Sequence, residues 1–351
     1  MGRPSRQGQS RTERTSSLPG AGSTEAAAFR SGLVTLIGRA NVGKSSLINA
    51  MVGQKVSIVS DKPQTTRSAA RAVLSLPGAQ VVFVDTPGSH KPRTLLGQQL
   101  NQTALGAVEG VDVVVVVVDG RSGVGGGDRF VVDRLEQRHI CVVNKVDRMP
   151  RSSVLAQLQV VGEWGFEEYF AVSARTGAGL DDLVAALARR VPPGPALYPD
   201  QMRELEPKFP AVKFPGHRLS GRRFPEARFS GAERLERGPA VRGWSRGPRD
   251  MDERQWVAEL VREQLLAITR DELPYSIACE VTEWEWPYVR CEILVERESQ
   301  KGIVIGRGGA VLKRVGSAVR VQLPPGVYLE LSVRVARDWQ QKPEALRRLG
   351  L

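Results

Sequence analysis

The segment Gly38-Arg39-Ala40-Asn41-Val42-Gly43-Lys44-Ser45 has two glycines flanking four residues, then a lysine and a hydroxyl. This is the G-x-x-x-x-G-K-[ST] pattern of a phosphate-binding loop. Its glycines let backbone N–H groups turn inward around phosphate oxygens, and a helix N-terminus behind them adds its positive dipole end. Gly38, Asn41, Val42, Gly43, Lys44, Ser45 and Ser46 are the candidate contacts. Lys44 is placed to reach the β- and γ-phosphates, and the Ser45 hydroxyl to bind Mg²⁺.

Three further clusters extend that chemistry. Asp85-Thr86-Pro87-Gly88 offers Asp85 to hold Mg²⁺ through water and the Gly88 N–H to sense a γ-phosphate. Asn144-Lys145-Val146-Asp147 offers a carboxylate, Asp147, that can accept hydrogen bonds from N1–H and N2–H₂ of guanine. Adenine presents no such donor pair, so the carboxylate would be left unpaired against it. Asn144 would brace that loop and touch the base. Ser173-Ala174 supplies a backbone N–H for guanine O6. Between the phosphate loop and Asp85 lies Gln64-Thr65-Thr66-Arg67, where a threonine could close over Mg²⁺. Residue types alone leave Thr65 and Thr66 as alternatives, or both as polar strand-edge residues.

These clusters need elements to hold them. Apolar runs at Val34–Ile37, Val81–Val84, Val113–Val118, Ile140–Val143 and Phe170–Val172 predict strands. Helical patterns alternate with them, including Ser46–Val52 after the phosphate loop and Asp181–Val191. This rhythm predicts a mostly parallel sheet flanked by helices, with each cluster at the C-terminal end of a strand. Val191-Pro192-Pro193-Gly194-Pro195 then reads as a rigid linker.

Order is expected again near Met251. Glu253–Ile268 has helical spacing of Trp256, Val257, Leu260, Val261, Leu265 and Ile268, broken by Gln264. Strands are expected at Ser276–Val281, Val289–Val295 and Val327–Val335, with a Gly-rich turn and helix at Gly306–Val319. The resulting α-β-β-α-β order implies a small α+β domain. Val304-Ile305-Gly306-Arg307-Gly308-Gly309 contains a G-x-x-G loop, the KH signature for clamping single-stranded nucleic acid. Lys301, Ile305, Gly306, Arg307, Gly308, Gly309 and Lys313 are its candidate contacts, with Arg314 beside them; the cations read equally as solvated surface. Trp284 could stack on bases, whereas Trp286 before Pro287 reads as hairpin-end packing.

The 351 residues carry a net charge of +12, and 10 of those charges fall in two segments. Residues 1–30 contain five Arg and two Glu; residues 203–249 contain twelve Lys or Arg and five Glu. The first is Ser-, Thr- and Gly-rich and predicts a disordered tail. Its Arg-rich, acid-poor texture also admits a mitochondrial transit peptide, without the amphipathic spacing of one. The second repeats Phe214-Pro215-Gly216-His217-Arg218-Leu219-Ser220-Gly221 imperfectly as Phe224-Pro225-Glu226-Ala227-Arg228-Phe229-Ser230-Gly231. It reads as a low-complexity insertion, either an electrostatic RNA-binding arm or a tolerated loop. Cys141, Cys279 and Cys291 have no metal spacing and fit a reduced compartment. No apolar run reaches the ~18 residues of a membrane span.

The runs Gly53-Gln54-Lys55-Val56-Ser57-Ile58-Val59-Ser60 and Lys62-Pro63-Gln64-Thr65-Thr66-Arg67 resemble the first switch region of the Era family of ribosome-assembly GTPases. Asp85–Gly88 followed by His90 is similar too. So are Arg262-Glu263-Gln264-Leu265, Glu272-Leu273-Pro274-Tyr275 and Val295–Lys301, which resemble that family's type II KH domain. The resemblance covers roughly residues 31–200 and 251–349. It implies a translation-factor-type P-loop GTPase domain at 31–195 and a KH domain at 251–351; the basic insertion falls outside the resemblance, in the linker at 196–250, where the family has only a short connection. It implies GTP/GDP and Mg²⁺ as ligands, and K⁺ at Asn41. Lys44, Asn41, Thr65, Thr66 and Gly88 are then the hydrolytic candidates.

By the same resemblance, the partners are 16S-type ribosomal RNA near its 3′ end and the 30S subunit. A cytoplasmic monomer is implied, with peripheral association at the inner membrane admitted. Departures exist. Ala40 stands where the family usually has proline, and Ser89 where it usually has Leu or Ile. Ras-like enzymes place a water-orienting glutamine at the latter position, so slow intrinsic hydrolysis is expected. A binding protein with nucleotide as a structural ligand is the alternative, motivated by Ser89 and the stretched linker. A tRNA-modification or division GTPase is disfavoured by the KH signature and by the lack of a second GTPase domain or a C-terminal catalytic cysteine.

Overall fold

The computed structural model describes residues 2, 28–60, 62, 65–67, 70–88, 94–198, 252–269 and 276–351. Most of the expected tail (residues 1 and 3–27), the 203–249 insertion, Gln64, Ser89, His90 and Glu272–Tyr275 lie outside the described residues, and Arg30, expected in the tail, begins a strand.

The N-terminal part is a six-stranded sheet in the order β2-β3-β1-β4-β5-β6. Its strands are β1 (Arg30–Ile37), β2 (Ala70–Leu76), β3 (Ala79–Asp85), β4 (Val113–Asp119), β5 (Ile140–Asn144) and β6 (Glu168–Ala171). Only β2 runs antiparallel, against β3. The helices are α1 (Lys44–Val52), α2 (Leu95–Gly106), α3 (Gly126–Val132), α4 (Arg151–Gly162) and α5 (Leu180–Arg190).

The six-valine run of β4 shows why the sheet sits in the middle. Val113, Val115 and Val117 pack with Leu47 and Ile48 of α1 and with Leu183 and Leu187 of α5. Val114, Val116 and Val118 pack with Val131 and Val132 of α3 and Val161 of α4. A strand covered on both faces needs apolar residues at every position, and this one has them. The α5 helix carries Asp181 and Asp182 in its first turn and Arg189 and Arg190 in its last, which complements the helix dipole.

The C-terminal part is a three-stranded sheet, β7 (Ala278–Glu285), β8 (Tyr288–Val295) and β9 (Tyr328–Val335), with β8 antiparallel to β7 and parallel to β9. The helices there are α6 (Glu253–Ile268), α7 (Glu298–Ile305), α8 (Ala310–Arg320) and α9 (Pro343–Arg348). Val289, Cys291, Ile293 and Val295 of β8 form one core with α6, α7 and α8. Leu294, on the other face, joins Trp339 and Leu346 in a smaller cluster that also takes in Leu96 and Leu100 of α2. The two parts of the chain therefore share a packed apolar contact.

Several expectations are corrected. The strand β2 has no counterpart among the expected strands, because its sequence Ala70–Leu76 lacks a continuous apolar run and it lies at the sheet edge. The expected strand Phe170–Val172 is Glu168–Ala171, another edge strand, half-buried throughout. The α-β-β-α-β order omits α7 and α9, and the strand expected at Ser276–Val281 instead runs from Ala278 to Glu285, with a register shift between Val281 and Glu283. The Pro-rich segment after α5 is strapped to the sheet. Ser31 N donates to Pro192 O at 2.9 Å, and Gly194 N to Phe29 O at 2.9 Å.

Candidate nucleotide site and nucleic-acid loop

Backbone geometry makes the phosphate loop. Gly38 and Gly43 have φ of 150° and 101°. A Cβ on Gly38 would stand 2.3 Å from the Val117 carbonyl oxygen, and one on Gly43 would stand 2.3 Å from Asn144 Nδ2. The loop is pressed between β4 and the Asn144 side chain, and only glycine fits at both places. Helix α1 begins at Lys44, two residues earlier than the periodicity predicts. The Lys44 ammonium donates to Gly38 O and Arg39 O, each at 3.2 Å. Burial lowers its pKa to about 8, with Asp85 opposing the shift.

Three oxygens converge beside that lysine. Ser45 Oγ lies 2.9 Å from Thr66 Oγ1 and donates to Asp85 Oδ2 at 2.9 Å. Thr66 Oγ1 is 3.5 Å from the same carboxylate oxygen. Thr65 points elsewhere, with its hydroxyl on Lys62 O at 2.6 Å. Burial pushes the Asp85 pKa up, against the opposing effects of Ser57, Ser45 and Lys44. Its Oδ1 is buried without a hydrogen-bond partner. An oxygen-only set with an unsatisfied buried carboxylate oxygen fits a hard divalent cation. Thr86 Oγ1 donates to Leu36 O at 2.7 Å and fixes the following turn against β1. Gly88 approaches the phosphate loop so closely that a Cβ would meet Ala40 Cα at 2.6 Å.

The base-reading loops are joined to the phosphate loop. Asn144 Nδ2 donates to Val42 O at 2.9 Å, while its Oδ1 accepts from Lys145 N at 2.8 Å and Ala174 N at 3.2 Å. Of the Ser173-Ala174 pair expected to offer an N–H to guanine O6, the Ala174 N–H is thus turned toward Asn144. Lys145, at φ 67°, reaches Asn41 O at 2.5 Å and Asp119 Oδ2 at 2.7 Å. Ser173 Oγ donates to Asp147 Oδ1 at 2.6 Å. Arg175 Nε stands 2.9 Å from Asp147 Oδ2, which nevertheless receives no hydrogen bond. The pair is an electrostatic contact, and Oδ2 is a buried acceptor without a hydrogen bond.

The G-x-x-G loop joins α7 to α8. Gly306, Gly308 and Gly309 have φ of 73°, 59° and 78°. Arg307, Gly308 and Lys313 are exposed, and Ile305 and Gly309 are half-buried. Arg314 is exposed as well. Lys301 lies 3.7 Å from Glu298, one turn earlier. Trp284 packs against the second core, while Trp286 is 41% exposed.

Sequence reasoning gives no role to a set of charged residues between the two parts. Glu263 accepts from Val59 N at 3.0 Å and from the Lys55 ammonium; Lys55 also donates to Gln322 Oε1 at 2.7 Å. Arg67 donates to Ile277 O at 2.7 Å, and its guanidinium lies 5.5 Å from the Trp339 ring centroid. Burial lowers the Arg67 pKa to about 9, with Arg262 adding to the shift and Glu259 opposing it. A charged helix face ordinarily reads as solvated. The available signal is a run of charges within otherwise apolar α6.

Comparison with known proteins matches this geometry. The family model described as 50S ribosome-binding GTPase matches residues 33–145, and the KH domain model matches 272–340. The protein named GTPase Era from Mycobacterium sp. (strain KMS) is 38% identical over 340 residues, which covers 92% of this chain and 99% of the relative. The chain belongs to the Era GTPase family. GTPase Era from Mycobacterium tuberculosis (strain ATCC 25177 / H37Ra) is also 38% identical, over 341 residues. Among solved structures, a point variant of Aquifex aeolicus Era bound to GDP.AlF4⁻ superposes with a TM-score of 0.74 at 30% identity, covering 92% of this chain and 99% of that one. Era in complex with MgGDPNP and nucleotides 1506–1542 of 16S ribosomal RNA gives 0.73 at 30% identity, with the same coverage. This Era-family chain is a GTPase, built as a P-loop domain with a mostly parallel sheet followed by a KH domain. Among its described residues no helix is long and apolar enough to cross a membrane.

Proposed function

We propose that this protein is a GTP-driven switch that binds small-subunit ribosomal RNA near its 3′ end and assists assembly of the 30S subunit. The observation that carries the reading is the convergence of Ser45, Thr66 and Asp85 beside the buried Lys44. Ser45 and Thr66 hold Mg²⁺ directly in this reading, and Asp85 through water. Bound Mg²⁺ neutralises charge on the phosphate oxygens. Gly38, Val42, Gly43 and Ser46 wrap the phosphates, and Lys44 contacts the β- and γ-groups. Thr86 and Pro87 aim the Gly88 N–H at the γ-phosphate. Asn41, left-handed within the phosphate loop, is the residue to hold K⁺.

Guanine is read by Asp147, whose Oδ2 lacks a hydrogen-bond donor. Asn144, Lys145, Ser173 and Ala174 keep that carboxylate and the base in register. On the RNA side, Gly306–Gly309 admit a strand close to the backbone, and Arg307, Lys301 and Lys313 meet phosphate. Nucleotides 1506–1542 of 16S RNA in the complex of a 30%-identical relative support the choice of RNA. The domain limits 31–195, 196–250 and 251–351 are part of the proposal, supported by family matches that fall within the first and last. A monomer in the bacterial cytoplasm with slow intrinsic hydrolysis completes it.

The test is binding of a short RNA from the 3′ end of small-subunit rRNA, against a scrambled control, with GDP and with a GTP analogue. Specific binding that tightens with the analogue is expected. Equal affinity with both nucleotides would mean a constitutive RNA-binding protein, and weak salt-sensitive binding to both RNAs would remove the KH reading.

A further inference from the structure

Arg262 lies on α6, which belongs to the C-terminal part, yet its side chain reaches the segment that carries Thr65 and Thr66. Its side chain is 2% exposed. Nε and Nη2 donate to the Glu259 carboxylate at 2.9 and 2.5 Å, and Nη2 also donates to the Thr65 carbonyl oxygen. The next residue is Thr66, whose hydroxyl lies 2.9 Å from Ser45 Oγ. One peptide unit therefore separates a guanidinium of the KH half from a hydroxyl of the Mg²⁺ set. Arg67 is held by the same half, through Ile277 O. Glu259 fixes the guanidinium plane, and Nη2 is shared between Glu259 and the Thr65 carbonyl across the interface. A lysine has no fork with which to satisfy both partners.

We propose that Arg262 is a positioning residue for the GTPase reaction: by holding the Thr65 carbonyl it keeps the Thr66 hydroxyl on the Mg²⁺ and γ-phosphate site, so affinity for Mg²⁺·GTP depends on the seating of the KH domain. The inference rests on the switch reading above. Its route runs through the interface, so the length of the 196–250 linker does not set the coupling. Linkage makes the effect reciprocal: any change in seating on RNA binding alters Mg²⁺·GTP affinity by the same factor that GTP alters RNA affinity.

The experiment compares full-length wild type with R262K, R262Q and T66A. Dissociation of fluorescent GDPNP and fluorescent GDP is followed across a range of Mg²⁺ concentrations. Loss of one charge-assisted hydrogen bond should speed GDPNP release about tenfold in both Arg262 variants. Each should need more Mg²⁺ to retain GDPNP while releasing GDP as wild type does. T66A should behave alike, and adding R262Q to T66A should change nothing further. Equal acceleration of GDP and GDPNP release would indicate general loosening and overturn the proposal, as would no change in either. If wild type itself retains GDPNP and GDP with the same Mg²⁺ dependence, the switch reading fails and takes the proposal with it.

Discussion

Asn144 donates a hydrogen bond to the Val42 carbonyl across 2.9 Å, which ties the Asn144–Asp147 loop to the phosphate loop. The same side chain accepts from Lys145 N and Ala174 N. Truncation to alanine would leave two N–H groups and one carbonyl without these partners in a buried site. At about 1 kcal/mol or more for each lost bond, Asn144→Ala should cost about 3 kcal/mol and lower Tm by roughly 6–12 °C. GTP and GDP affinity should fall together, because both loops lose their brace. Calorimetric melting and titration check this; a variant with the wild-type Tm and GDP affinity would show that the brace carries no energy.

Burial lowers the Lys44 pKa to about 8 from 10.5. Between those values the unfolded chain holds a proton that the folded protein does not, so this group makes folding stability rise with pH across that window. Nucleotide binding has the opposite sign. Phosphate requires the ammonium form, so binding above about pH 8 must take up a proton, and GDP affinity should fall by up to about tenfold per pH unit. Isothermal titration between pH 7 and 8.5, where guanine N1 stays mostly protonated, measures the slope and the proton uptake. A flat affinity with no uptake would mean that Lys44 keeps its ordinary pKa.

Legibility in the sequence followed physical uniqueness. A phosphate loop needs glycine at Gly38 and Gly43, because a side chain there would strike β4 or Asn144, so its residue types survive as a readable pattern. The β4 run is readable because both of its faces are covered. The edge strand β2 is not, since it lacks a continuous apolar run, and the start of edge strand β6 is read two residues late, because its positions are half-buried. Only the fold separates Thr66, whose hydroxyl lies by Ser45, from Thr65, whose hydroxyl turns to Lys62 O, because adjacent threonines differ only in where the backbone points them. The interface was the least legible part. Lys55, Arg67, Arg262 and Glu263 are polar residues that pair across the two halves, and each looks like solvated surface when taken alone.

The nucleic-acid loop separates two roles of glycine. Gly306 and Gly308 both have positive φ, but a Cβ on Gly306 would meet Val311 Cγ2 at 2.5 Å and Val311 N at 2.9 Å, whereas Gly308 faces open space. Gly308→Ala should cost about 1 kcal/mol from backbone strain alone. Gly306→Ala should cost about 2–4 kcal/mol, because α8 must shift as well. Gly308→Asp adds an anion at an exposed position and should weaken RNA binding with little loss of stability beyond that of Gly308→Ala. Urea unfolding with parallel RNA titration checks the set. Equal costs at Gly306 and Gly308 would mean that the close approach to Val311 relaxes freely.

Leu100 is 2% exposed and belongs to the apolar cluster that joins α2 to Trp339, Leu294 and Leu346. Its partners come from both halves of the chain, so its burial energy exists only while the halves are docked. Leu100→Ala should cost about 2–4 kcal/mol, lost mainly from docking. In the wild type the shared cluster should make both halves unfold together. In the variant the halves should melt separately, and differential scanning calorimetry should resolve one endotherm into two. Retention of GDP binding by the variant would show that the N-terminal sheet remains folded. The contrary result is a wild type that already melts in two steps, with Leu100→Ala shifting only one of them. That would place the energy of Leu100 within a single half and make the contact between the halves thermodynamically weak.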